Sequence, residues 1–224
     1  MDNQYLSQQE RKSQRNRKIM TWVGTIIVLG GSFFGIYKLS QSDKGAVLGS
    51  NITVQDYKIG PDNAKVKLVE YSDFQCPACA AYSAYVDRLI QDEGDKMQFV
   101  YRNFPLVSIH KNSLAASYAA EAAGQQGKFF DMEHVLFSKQ AEWSALQDPK
   151  PMFLEYAKSL NLDTAKFTSD MNNKSIKDKV QSDLDEATKM GLNSTPTFFI
   201  NDKKVAVPPD YEGFKAMIDA ELNK

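Results

Sequence analysis

A chain of 224 residues with 42% hydrophobic and 11% aromatic residues can bury a core of its own and does not need disulfides to fold. The formal net charge of −1 hides an uneven distribution, because residues 1–18 hold five basic and two acidic side chains while the rest of the chain holds 22 and 26. A weakly acidic body gives no electrostatic ground for a nucleic acid partner, so none is expected.

In chain order, the basic stretch (Arg11, Lys12, Arg15, Arg17, Lys18; residues 1–18) is followed by IMTWVGTIIVLGGSFFGIY, Ile19 to Tyr37, nineteen residues without a charge. As a helix this run covers about 28 Å, enough to cross a bilayer. A helix buried inside a soluble domain explains it poorly, since the run has no polar face. The positive flank predicts a cytoplasmic amino terminus, with everything after Lys38 outside the membrane. The run is longer than the roughly 7–15 residue apolar core of a signal peptide, and no Ala-x-Ala site follows it. These features favour a retained single-pass anchor over residues 19–37 in the cell membrane; a cleaved signal, which would leave the domain secreted, is the alternative. Residues 38–57 are polar, rich in Ser and Gly and without a sustained period, and read as a linker.

The body follows at 58–222. Ala64–Ser72 has the β-branched and aromatic character of a strand. Pro77–Gly94 is composed of helix formers, with a proline suited to a first turn. Met97–Leu106 reads as a second strand, stopped at Pro105. From about 110 to 190 the pattern becomes helical, in segments near 112–124, 128–140, 149–160, 163–170 and 173–190. Thr195–Asn201 and Lys204–Pro208 form a predicted hairpin about a turn at Asn201–Lys203, and Tyr211–Leu222 a closing helix. The order predicts an α/β domain with one mixed sheet, interrupted by a block of helices.

The segment DFQCPACAAY, Asp73 to Tyr82, contains the two cysteines of the chain, Cys76 and Cys79. A crosslink that closes so short a loop adds little stability, so a purely structural staple is disfavoured. A structural zinc site would need Cys76, Cys79, His110 and His134 as its four ligands, and the histidines lack the His-x-x-x-His type of spacing that accompanies such pairs. Neither a metal nor another cofactor is expected. A redox role uses more of the pattern. A cysteine at an exposed helix start faces unpaired N–H groups and the positive end of the dipole, which lower its pKa. Cys76 holds that position and Cys79 lies one turn inside, so Cys76 is expected to exchange with a partner sulfur and Cys79 to resolve the mixed disulfide. The extracytoplasmic placement agrees, because disulfides form and persist there. Farther on, Thr195-Pro196 opens an apolar strand, where a proline must take the first residue or an edge.

Together, IGPDNAKVKLVEYSDFQCPACAAY, FVYRNFPL with the following His110, AAEAAGQQGKFFDMEHVLFSKQAEW and GLNSTPTFFIN resemble the DsbA-like thiol:disulfide oxidoreductases, over about residues 55–222. The likeness is to their membrane-anchored, extracytoplasmic bacterial members. It implies a thioredoxin fold with an inserted helical domain, here preceded by a single amino-terminal transmembrane helix. It further implies a redox-active Cys76–Cys79 disulfide, with Cys76 the nucleophile and Cys79 the resolving thiol, and a cis-proline dipeptide Thr195–Pro196 facing the pair. Glu70 falls where the family carries an acid on the strand leading to the site. A buried Glu70 would shuttle the Cys79 proton, and a solvated strand-face charge is the equal alternative.

The function implied is a dithiol oxidase that introduces disulfides into exported thiol-containing proteins and is reoxidised by a DsbB-like membrane quinone reductase. A reductase or isomerase on the same fold, or a redox-inert binding module or chaperone, are the alternatives. About twenty linker residues leave no room for the dimerisation domain of the isomerases, which favours a monomer. One departure stands out: Pro77-Ala78 replaces the histidine-containing dipeptide of strongly oxidising members, so a source of thiolate stabilisation is missing.

Overall fold

The computed structural model describes residues 47–49 and 51–224. Strand β1 (Tyr57–Ile59) precedes β2 (Val66–Ser72), helix α1 (Pro77–Glu93) and β3 (Met97–Asn103). Six helices follow: α2 (Ser113–Gly124), α3 (Phe129–Ser138), α4 (Gln140–Trp143), α5 (Lys150–Ser159), α6 (Thr164–Met171) and α7 (Lys174–Lys189). The chain then returns to the sheet with β4 (Thr197–Ile200) and β5 (Lys203–Val205) and ends on α8 (Tyr211–Leu222). The sheet has the order β1-β3-β2-β4-β5; β2 and β3 run parallel and the other pairs antiparallel. The block α2–α7 therefore interrupts a single mixed sheet, as the order of sequence signals predicts. Asn201 and Asp202 both take positive φ (46° and 67°), the requirement of a two-residue type I′ hairpin turn.

The anchor assigned to 19–37 lies outside the described residues; among those residues no helix is long and apolar enough to cross a membrane. The linker assigned to 38–57 is corrected where it is described. Leu48 and Ile52 pack against the sheet's second core, Asp56 is buried, and Tyr57 already belongs to β1. Composition suggested a tether because the segment is polar, yet one of its polar groups, Asp56, is the partner of a buried arginine.

The central strand β2 is covered on both faces, which is why VKLVEYS reads as nearly continuous rather than cleanly alternating. Alternation is present all the same. Val66 and Leu68 from β2, Phe99 and Tyr101 from β3, and Phe198 and Ile200 from β4 face one core, shared with α1, α8 and the inserted helices. Val69 and Tyr71, Val100, and Phe199 face the other, beneath Ala187 of α7. Glu70 and Ser72 share the parity of Leu68, so period two turns them toward the core that holds both cysteines.

Arg102, on the opposite face, is 2% exposed. Its guanidinium donates to both Asp56 carboxylate oxygens (3.1 Å each), to Glu186 of α7 (2.9 Å), to the Tyr71 hydroxyl (3.0 Å) and to the Asn51 carbonyl (3.1 Å). The ion pair thus fastens the pre-β1 segment and α7 to the sheet. Burial alone would raise the Asp56 pKa; the bonds from Arg102 and the Thr53 N–H outweigh it and leave the carboxyl below its ordinary value. A group with a lowered folded-state pKa contributes stability that is present above its unfolded pKa and is lost as pH falls through the folded value. Asp56→Ala is expected to cost about 3 kcal/mol near neutral pH by urea unfolding, with the deficit shrinking in acid. An equal deficit at all pH values would contradict the ionic account.

Candidate active site

β2 ends at Ser72, and Asp73, fully buried, organises the turn that follows. Its carboxylate accepts from the Gln75 N–H (2.8 Å), the Leu106 N–H (2.8 Å) and His110 Nδ1 (2.8 Å), while its carbonyl accepts from the Cys76 N–H (3.0 Å). Cys76 is thereby set as the N-cap of α1, with extended backbone (φ −74°, ψ 121°) and Pro77 in the first helical position. Pro77 lacks an N–H, so the first turn's free donors are those of the residues after it. The sheet register brings the second element to the same place: Thr197 lies opposite Tyr71, so Thr195–Pro196 falls just beyond the end of β2. The Thr195–Pro196 peptide is cis, as the resemblance implies. Cys76 Sγ lies 3.5 Å from the Thr195 carbonyl oxygen, to which it donates only while it is a thiol. Cys76 is consequently only 8% exposed, less than a bare helix start suggests, and Cys79 is fully buried.

The two sulfurs differ sharply. In the dithiol form Cys76 is lowered to about 5, first by the hydrogen bond from Cys79; burial opposes this, and the Thr195 side chain and the N–H groups of Cys79 and Ala78 add to it. Cys79 is pushed well above the ordinary thiol value, chiefly by burial, then by its bond to Cys76 and by the charges of Glu70 and Cys76. Cys76 is therefore a thiolate at neutral pH and Cys79 holds its proton. No histidine or other cation lies among the causes of the Cys76 shift, consistent with the Pro77-Ala78 dipeptide.

Glu70 is 3% exposed, so it is not a solvated strand-face charge. Burial raises it to about 8; the Ser72 hydroxyl, donating at 2.7 Å, opposes, and the charges of Glu133, Cys76 and Asp87 add to the rise. The structure thus gathers Cys76, Cys79, Thr195, Pro196 and Glu70 at one end of the sheet. The zinc alternative finds no support in the geometry: His110 is engaged by Asp73, and His134 by Glu133 (2.9 Å) and Asp87 (3.2 Å). Among the described residues no group of three or more His, Cys, Asp or Glu side chains is placed to hold a metal ion.

Several contributors were not foreseen. Asp73 sits inside the cysteine segment itself, where an acid three residues before a helix cap is a recognisable turn signal. Gln140 and Asn112, which bond to the loop and its neighbours, carry no such signal because their partners lie more than 30 residues away.

A thioredoxin fold with an asymmetric Cys-x-x-Cys pair facing a cis-proline, interrupted by an inserted block of helices, is that of a DsbA-like protein thiol:disulfide oxidoreductase. The chain belongs to the thioredoxin family, whose sequence pattern matches residues 53–220. Among solved structures it is similar to BdbD from Bacillus subtilis (oxidised), 28% identical with a TM-score of 0.68 over 80% of this chain and 100% of that one. It is also similar to a thioredoxin-like oxidoreductase from Silicibacter pomeroyi DSS-3, 25% identical, TM-score 0.65, over 77% and 95%. Wolbachia pipientis alpha-DsbA1, at 24% identity and a TM-score of 0.68 over 77% and 93%, shares the fold. Curated relatives include Na(+)/H(+) antiporter NhaA 1 of Mycobacterium sp. (strain KMS), 38% identical over 160 residues, 70% of this chain and 25% of the antiporter. NhaA 3 of Salinispora tropica is 32% identical over 164 residues, 73% and 24%. The chain spans about a quarter of the length of these relatives.

A folded Glu70 keeps its proton to about pH 8, against an ordinary value of 4.5, so between these values the folded state binds more protons than the unfolded one. Glu70 by itself therefore contributes stability that is lost as pH rises through that window, while Cys76, lowered to about 5 from an ordinary 9.0, contributes the opposite slope in the reduced protein. Glu70→Gln is expected to make the urea midpoint of the reduced protein rise more with pH across that window than the wild type's does; a pH profile identical to the wild type's would show that Glu70 is not a buried acid that keeps its proton.

Proposed function

We propose that this chain is a membrane-tethered, extracytoplasmic dithiol oxidase that introduces disulfides into exported proteins. The observation that carries the exchange chemistry is the contrast between the two sulfurs, a stabilised thiolate at Cys76 and a buried, protonated thiol at Cys79. In the oxidising direction a substrate thiolate attacks Sγ of Cys76 in the Cys76–Cys79 disulfide. The sulfur–sulfur bond breaks, a mixed disulfide forms, and Cys79 leaves and takes up a proton, with the buried Glu70, whose charge bears on Cys79, as its carrier. A second substrate thiolate then attacks its own sulfur of the mixed disulfide and expels Cys76 as a thiolate. The substrate loses two electrons and the protein gains them.

A thiolate held at about 5 is a good leaving group in that last step, which supports the oxidase direction over the reductase. Reoxidation falls to a membrane partner of the DsbB-like quinone reductase type, a role suggested by the family. The basic segment 1–18 and the uncharged run 19–37 support a cytoplasmic amino terminus and a single anchor, with the domain outside. The antiporter relatives match over a quarter of their length, so ion transport is not carried over to this chain.

Cys79→Ser should trap mixed disulfides through Cys76 in the membrane fraction, whereas Cys76→Ser should abolish transfer. Equal trapping by both variants would refute the roles. Equilibration of the wild type with glutathione, together with reactivation of a reduced, unfolded secreted protein, tests direction. An equilibrium near that of thioredoxin would make the protein a reductase, and the absence of any thiol transfer would leave a binding module.

A further inference from the structure

The loop that carries Cys76 is fastened to the inserted helices by bonds that the exchange chemistry itself does not use. Gln140, the first residue of α4, directs its side-chain amide nitrogen at two backbone carbonyls, 2.8 Å from that of Phe74 and 3.0 Å from that of Cys76. One NH₂ group has two hydrogens, and both are engaged. Gln75, between the two carbonyls, reaches the other way: its amide donates to the Ser144 carbonyl (2.8 Å) and accepts from the Asn112 N–H (2.7 Å). The base under Gln140 is rigid. Trp143, in the same short helix, is fully buried, donates its indole N–H to the Leu136 carbonyl at 2.8 Å and meets the Phe153 ring edge-on at 5.3 Å.

The Cys76 carbonyl is also the first acceptor of α1, taking the Ala80 N–H at 3.2 Å. With donors from Ala80 and Gln140 on one oxygen, the peptide plane between Cys76 and Pro77 is held from two sides. That plane sets where the Ala78 and Cys79 N–H groups point relative to the sulfur. We propose that Gln140 is a positioning residue for the redox centre, its amide locking the Phe74 and Cys76 carbonyls so that the first turn of α1 presents its N–H groups to Sγ of Cys76. The inserted block then takes part in setting the poise of the thiol pair and does more than cover the core. This inference rests on Cys76 being the exchanging thiol.

The test uses the full chain and Gln140→Met, which keeps the length of the side chain and removes both donors. A less stabilised thiolate makes the reduced form less favourable. In protein dithiol plus glutathione disulfide going to protein disulfide plus two glutathione, the equilibrium should therefore move toward protein disulfide by about tenfold, about 30 mV. The pH midpoint of Cys76 alkylation should rise by about one unit in parallel. Trp143→Phe is the control: it removes a bond from the same helix to α3, should lower the melting temperature, and should leave both readouts within twofold of wild type.

A folded Gln140→Met within twofold of wild type in both readouts would overturn the proposal, as would a Trp143→Phe that moves them equally. If Gln140→Met does not fold, Gln140→Asn, one methylene too short to span both carbonyls, is read in the same way and to the same thresholds. A wild type in which Cys76 is not the thiol of low pKa would instead overturn the underlying assignment of the nucleophile.

Discussion

Two sulfurs three residues apart share one chemistry until their surroundings differ, and in this protein the difference is made by where α1 begins. Cys76 caps the helix and meets N–H groups that have no partner inside it, while Cys79 sits one turn in, sealed by the core. Charge on Cys76 is stabilised by a hydrogen bond from Cys79, and the same bond makes a second charge on Cys79 costly. A pair so coupled holds one negative charge readily and two only at high pH. That is the property an exchanging dithiol needs, since one sulfur must attack or leave while the other waits with its proton.

The rest of the fold places groups around that asymmetry. The parallel β2–β3 pair gives a strand end from which the chain turns straight into α1, and the antiparallel β4 delivers the Thr195–Pro196 peptide to the same end. Period two on β2 turns Glu70 inward beside the thiols, where burial holds its proton. Asp73 gathers the turn, the chain after β3 and His110 onto a single carboxylate. The inserted helices close the assembly from the side, through Gln140 and Asn112. Away from the site, Arg102 binds the segment before β1 and α7 to the opposite face, so the sheet is held on both sides.

What could be read from the sequence follows the range of the interactions. The Cys-x-x-Cys pair at a strand-to-helix boundary, the Thr-Pro at a strand entry, the hairpin turn and the inserted helices are local patterns, and the structure places their elements within a few residues of expectation. The burial of Glu70 was an open alternative because β2 is apolar on both faces, so its alternation is masked until the partners are known. β1 was missed since three residues carry too weak a period, and the described end of the supposed linker since its fixed position depends on Arg102, 46 residues away. Gln140 lay beyond sequence reasoning for the same reason, its two partners being more than 60 residues earlier in the chain.

The central claim is that one sulfur of the pair carries the charge and the other the proton. Titration of the reduced protein by thiolate absorbance in the near ultraviolet tests it most directly. One thiolate should appear with a midpoint of about 5, disappear from the titration in Cys76→Ser, and be followed by a second only well above the ordinary thiol value of 9.0. Two thiolates that appear together near 9.0, or a low-pH thiolate that survives in Cys76→Ser, would contradict the account.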